Sequence, residues 1–175
     1  ACVLYPTVTR EIVIGVAGTG AFVPLWSARI LEEWARATAK LGAEQQAVAR
    51  GEIALLRAQW PDAEIPADAA LEQSLYLPDI NDRHVLGAAI SGRAEVLMTS
   101  NLRDFPRGVL SEFSIVARHP DEFLRDAYNS NPDDVGAVVA RVHRTAQNLS
   151  SRDLGLRRLL KKARLPRLAK AMGAV

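Results

Sequence analysis

The chain has 175 residues, 49% of them apolar, and a formal net charge of +2, which suits one globular domain with a small appendage. Its one cysteine, Cys2, excludes a disulfide framework and points to a reducing compartment. No apolar run approaches the ~20 residues of a membrane span and no signal peptide is visible, so a cytoplasmic protein without a membrane partner is expected.

In chain order, Cys2–Tyr5 reads as a first strand stopped by Pro6. Thr9–Ala17 fits a helix that Thr9 caps and Gly18 and Gly20 end. Ala21–Val23 reads as a short strand. Ser27 is an N-cap for a helix running to about Leu41, and a second long helix spans about Glu44 to Trp60, before Pro61. Residues 61–73 read as a loop with a short extended piece. Ser74–Leu77 reads as a strand, Asp82–Gly92 as a helix, and Glu95–Thr99 and Phe113–Ala117 as further strands. The apolar run Glu95–Thr99 suits a strand buried on both faces of a parallel sheet. This alternation predicts an α/β fold, a three-layer arrangement with a mainly parallel central sheet flanked by helices. After His119 the texture becomes helical, with helices expected over Asp121–Asn129, Pro132–Leu149, Asp153–Ala163 and Leu165–Met172. The expected division is an α/β domain over 1–118 and a helical C-terminal extension over 119–175.

Charge is unevenly placed. Residues 150–175 hold eight Lys/Arg against Asp153 alone, net +7, while the first 149 residues carry net −5. Such asymmetry fits a polyanion partner, a contact between tail and body, or a solvated helix face. Leu156, Leu159, Leu160, Leu165 and Leu168 recur at helical spacings, so the tail is expected to pack and be ordered.

Four residues stand where chemistry is expected. On the helix after Ser27, Ile30, Leu31, Trp34 and Leu41 form the buried stripe, Glu32 points away, and Glu33 lies at the stripe's edge. On the next candidate helix Asp82 lies near the centre of the stripe of Val85, Leu86, Ala89 and Ile90, a costly place for an unsatisfied carboxylate. Asp82 reads equally as a site residue or a simple helix cap, with Asp79 and Asn81 able to cap as well. Asn101 and Asp104 follow a strand end, where α/β folds build sites, although both residue types also suit plain turns. Carboxylates plus an amide make a hard oxygen donor set of the kind Mg²⁺ or Mn²⁺ prefers. With one Cys and the scattered His84, His119 and His143, nothing points to zinc, and the histidines read as packing or surface residues. The glycines of GVAGTGAF end a helix, so no phosphate loop is expected, and no nucleophile elbow is present.

Taken together, VLYP, WSARILEEW, DINDRHVLGAA and VLMTSNLRDFP resemble the PIN-domain ribonucleases, in particular their VapC-like toxin branch, over roughly residues 1–117. The helices after His119 resemble the C-terminal region of a VapC-like subgroup. The resemblance implies a metal-dependent endoribonuclease using Mg²⁺ (or Mn²⁺), the toxin of a type II toxin–antitoxin pair, with RNA as substrate, a cognate antitoxin and a homodimeric state. It carries the family's second acid onto Glu33, the third onto Asp82, and the fourth onto the turn holding Asn101 and Asp104. The implied metal ligands are Glu33, Asp82 and Asp104, with Asn101 positioning metal, water or phosphate. The family's first acid is expected immediately before the segment that opens this chain at Ala1. Arg10, Arg29, Arg83 and Arg103, beside the site-forming turns, are the candidate RNA-binding cations; Arg10 and Arg83 read equally as ion-pair partners. The alternative reading is a non-catalytic PIN-fold RNA-binding or scaffold module, and a third is a DNA-directed nuclease of the same fold.

Overall fold

A computed structural model describes residues 1–150 and 154–174. In chain order the elements are α1 (Thr7–Ala17), β1 (Trp26–Ser27), α2 (Ala28–Ala39), α3 (Ala43–Gln59), β2 (Glu64–Ile65), α4 (Ala69–Ser74), α5 (Arg83–Ser91), β3 (Val96–Met98), α6 (Arg107–Ser111), β4 (Val116–Arg118), α7 (Pro120–Ser130), α8 (Pro132–Asn148), α9 (Leu156–Lys162) and α10 (Pro166–Ala171). Short 3-10 turns at Ile80–Asp82 and Leu102–Asp104 precede α5 and α6.

The chain forms two compact units. The first comprises Ala1–Tyr5 and Pro24–Arg118, the second Pro6–Val23 and His119–Val175.

In the first unit all strand pairing among the described residues is parallel, as expected of an α/β fold, but it forms two short ladders. Trp26 and Ser27 pair with Glu64 and Ile65, and Val96, Leu97 and Met98 with Val116, Ala117 and Arg118. Helix α5 packs against both β1 and β3. The core around β3 and β4 consists of Leu75, Leu77, Leu86, Ala89, Leu97, Phe105, Leu110 and Ile115. Burial of such side chains supplies the main stabilisation, at roughly 25 cal/mol per Å² of apolar surface. On the α2 side, Leu31, Trp34 and Ala35 are buried, and α2 packs on α3. Ser27 caps α2 as expected, its Oγ accepting from the Ile30 amide at 3.3 Å.

Three expected strands are absent. Cys2–Tyr5 is a turn, because the Leu4 and Tyr5 amides both bond back to the Ala1 carbonyl at 3.0 and 2.9 Å. Its apolar residues Val3 and Leu4 are buried all the same. Ala21–Val23 leaves Val23 exposed and unladdered. Leu75 and Leu77 are buried on either side of exposed Tyr76, a strand's alternation, yet no strand among the described residues pairs with them. The last strand begins at Val116 and not at Phe113, because Phe113–Ile115 close the end of α6: the Ile115 amide reaches the Leu110 carbonyl at 3.1 Å and Ser114 takes a φ of 58°.

In the second unit, α1 packs with α7 and α8, α7 with α8 and α10, and α9 with α10. Pro6, and not Thr9, precedes α1; the Thr9 hydroxyl instead donates to the Ala163 carbonyl at 3.0 Å. Gly15 lets α1 approach α8 closely, since a Cβ there would meet Val138 Cγ1 at 2.6 Å and Arg141 Nη2 at 2.8 Å. Phe22 and Phe123 stack edge to face, centroids 5.0 Å apart. The buried Asp121 carboxylate accepts the Arg167 and Leu168 amides at 3.0 Å and so caps α10. The tail leucines Leu159, Leu160, Leu165 and Leu168 are buried, as their spacing predicts, and Leu156 is half-buried. The expected helix start at Asp153 lies outside the described residues.

Candidate active site

The site is built at the carboxyl end of β3 and the amino ends of two helices in the first unit. Thr99 follows β3, and its hydroxyl accepts the Asn101 amide at 3.0 Å, which turns the chain sharply. The Asn101 side-chain amide then hydrogen-bonds Asp104 Oδ2. Asn101 and Asp104 are thereby one unit: the amide holds a carboxylate oxygen, and Asp104 is half-buried while Asn101 is exposed. The opening turn lies against the same strand end. Cys2 Sγ is 3.5 Å from the Thr99 hydroxyl and 3.4 Å from the Ser100 amide.

Asp82 stands at the cap position of α5, but its side chain makes no capping hydrogen bond. The capping is done one turn earlier, where Asp79 Oδ1 accepts the Asn81 amide at 2.8 Å. Asp82 is therefore a half-buried carboxylate without a local structural partner. Burial first, then the negative charges of Asp104, Asp79 and Glu33, push its carboxyl above the usual carboxylate range. That electrostatic grouping joins three of the sequence-predicted site residues, Glu33, Asp82 and Asp104.

Glu33 is held from two directions. Arg29 Nε lies 3.3 Å from Glu33 Oε1, one helical turn back on α2, and Arg29 also reaches the Asn81 carbonyl at 3.5 Å. His84 Nε2, from α5, is 3.0 Å from Glu33 Oε1. His84 is 2% exposed, and burial, outweighing Glu33, holds its imidazole below the usual range. Glu32, on the outer side of α2, instead bridges Arg36 at 2.9 Å and Arg50 at 3.1 Å.

His84 is the residue that sequence reading missed, since one histidine in an apolar stripe carries no signal until α2 is packed beside it. Of the candidate cations, Arg29 and Arg83 line, with His84, Glu72 and Gln73, a cavity of about 180 Å³ beside the acids. Arg83 Nε is buried without a partner. Arg103 is exposed in the 3-10 turn next to Asp104. Arg10 lies in the second unit, 5% exposed, 3.9 Å from Glu11.

Chemically, Glu33, Asp82, Asp104 and Asn101 offer only oxygen ligands, and mutual repulsion at Asp82 is the charge pattern a hard divalent cation relieves. As placed, no three His, Cys, Asp or Glu side chains among the described residues stand close enough together to hold a metal ion. The donor chemistry fits a hard cation, but as placed the three acids do not form a three-ligand group.

An α/β unit with acid-bearing turns and helix starts near the carboxyl end of a parallel strand defines a class in which the strand end carries the chemistry. The PIN domain family model matches residues 3–103, more than half the chain, and the chain belongs to that family. Over 58 residues it is 47% identical to "Putative ribonuclease VapC50" of Mycobacterium tuberculosis, covering 33% of this chain and 34% of that protein. The aligned segment thus spans about a third of the relative's length. No solved structure matches the chain. No helix among the described residues is long and apolar enough to cross a membrane.

Proposed function

We propose that the protein is a Mg²⁺- or Mn²⁺-dependent endoribonuclease of PIN type, the toxin of a type II toxin–antitoxin pair, acting in the cytoplasm as a homodimer restrained by a cognate antitoxin. The observation that carries the reading is Asp82: a half-buried carboxylate that caps nothing, at elevated pKa through burial and neighbouring acids. Retaining such a group costs stability unless a cation or substrate uses it. The VapC50 relative is named as a ribonuclease, which supports RNA as substrate.

In this reading the catalytic residues lie within 1–118, of which Pro6–Val23 packs into the second unit, and 119–175 form the helical extension. Glu33, Asp82 and Asp104 hold the cation, which when bound activates water and screens charge on the phosphate. Arg29 and His84 fix Glu33 between α2 and α5. Asn101 orients Asp104 and faces the water or phosphate. Arg29, Arg83 and Arg103 hold the RNA backbone; Arg10, buried in the second unit beside Glu11, is left out of this set.

A second reading, a PIN-fold RNA-binding module without catalysis, is favoured by one observation: the acids do not form a ready three-ligand group. Incubation of single-stranded RNA with the protein in Mn²⁺, in Mg²⁺ and in chelator separates the two. Cleavage in either cation and none in chelator is expected. Cleavage that persists in chelator contradicts the metal-dependent mechanism, and binding without cleavage in both cations favours the module.

A further inference from the structure

Residues 154–174 hold seven Lys/Arg and no Asp or Glu. The two short helices they form, α9 and α10, are two-sided. Leu159, Leu160, Leu165, Leu168 and Ala169 are buried, while every cation of the stretch is exposed. Arg167 is paired with Glu122 of α7. No ion pair joins Arg157, Arg158, Lys161, Lys162, Arg164 or Lys170 to any described residue. Like charges this dense repel one another, and salt screens them only beyond about 8–10 Å. The fold therefore holds six cations without an ion-pair partner among the described residues on one packed scaffold.

These cations surround a depression. Arg157 and Lys161 of α9 face Lys170 of α10 across a groove of about 450 Å³, with Pro166, Ala169, Gly173 and Ala174 completing its lining. Three cations around a small-residue surface suit a chain of evenly spaced anions. They suit a protein partner poorly, because the centre of a protein interface is made by buried aromatic and large apolar anchors, and none lines this groove.

We propose that the α9–α10 groove is a docking site for the RNA phosphate backbone, formed wholly within the second unit and separate from the acids of the first. Arg157, Lys161 and Lys170 contact phosphates and read no base, so the site adds affinity and not sequence choice. The identity of the polyanion rests on the ribonuclease reading above.

The test measures binding of a single-stranded RNA oligonucleotide in chelator across a salt series, for the full chain and for the triple variant Arg157→Gln, Lys161→Gln, Lys170→Gln. Each lost phosphate contact lowers the slope of log affinity against log salt by about 0.7 for single strands, so the triple variant should lose about 2 units of slope. A second variant, Arg157→Lys, Lys161→Arg, Lys170→Arg, should keep the wild-type slope, and circular dichroism should show both variants folded. An unchanged slope in a folded triple variant overturns the proposal and leaves the groove to an acidic protein segment or to solvent. Because binding is read in chelator, the two readings fail separately. A reduced slope in a protein that never cleaves RNA keeps the groove and removes the nuclease; cleavage with an unchanged slope does the reverse.

Discussion

Asp82 occupies a cap position without doing a cap's work, and that carries a testable cost. Its folded-state pKa lies above the ordinary aspartate value, so its contribution favours the fold only below that value and turns against it as pH rises through the folded pKa. Asp82→Asn is therefore expected to raise the melting temperature at pH 7 in chelator, read by thermal denaturation. Cation linkage should work the other way: Mn²⁺ at about 100 times its Kd stabilises the wild type by about 2.7 kcal/mol and the variant far less. His84 supplies the matching acid-side effect. Its pKa is lowered below the ordinary 6.5, so the neutral imidazole's contribution is present above 6.5 and lost as pH falls below it. His84→Gln should flatten the decline in melting temperature between about pH 6.5 and 5; an unchanged profile would mean the ring charges at no cost. The half-buried placement of Glu33 and Asp82 was legible in the sequence through their stripe positions. That Asp79 caps the 3-10 turn before α5 while Asp82 holds the α5 cap position without a capping bond was not, because both stand within one turn of the helix start and only backbone geometry chooses between them.

At the scale of elements, the helices with strong punctuation were readable. Ser27 starts α2, Gly18 ends α1, and proline opens α7, α8 and α10. The failures were short apolar runs. Cys2–Tyr5 and Leu75–Leu77 have strand composition, but a strand needs a partner, and local sequence holds no information about one. Three helices close on a non-glycine residue in the left-handed region, Arg93, Ser114 and Arg164, with φ of 53°, 58° and 60°; the ends at Gly92 and Ala163 fell where the sequence placed them. In α5 and α9 the closing bonds are of Schellman type, Ala94 amide to Ala89 carbonyl and Leu165 amide to Leu160 carbonyl, both 2.8 Å. The start of α10 offers the sharpest element-level prediction. Asp121→Ala removes the acceptor for two backbone amides, one of them at buried Leu168. The expected loss is about 1–3 kcal/mol, read as a drop of several degrees in melting temperature. A loss within experimental error would mean water replaces the carboxylate.

At the scale of the whole molecule, the sequence displays the change from alternating α/β texture to helices near His119, and the second unit's C-terminal part begins there. The membership of α1 in that unit was hidden, because it depends on Gly15 meeting Val138, more than a hundred residues away. Gly15→Ala should destabilise the protein, since its Cβ would overlap the Val138 side chain; overpacking of this kind costs roughly 1–3 kcal/mol, and a melting temperature equal to wild type would show that α1 can shift. Composition likewise exposed the basic tail, and leucine spacing predicted that it packs, in agreement with the buried leucines of α9 and α10.

The central claim is that a cation held by Glu33, Asp82 and Asp104 cleaves RNA. The most direct measurement is the rate of single-stranded RNA cleavage in Mn²⁺ by wild type and Asp82→Asn side by side, both shown folded by circular dichroism. The substitution removes charge with almost no change in volume. A loss of about a hundredfold or more, the scale on which deleting one electrostatic stabiliser acts, is the predicted result. Equal rates in the two proteins would contradict the account.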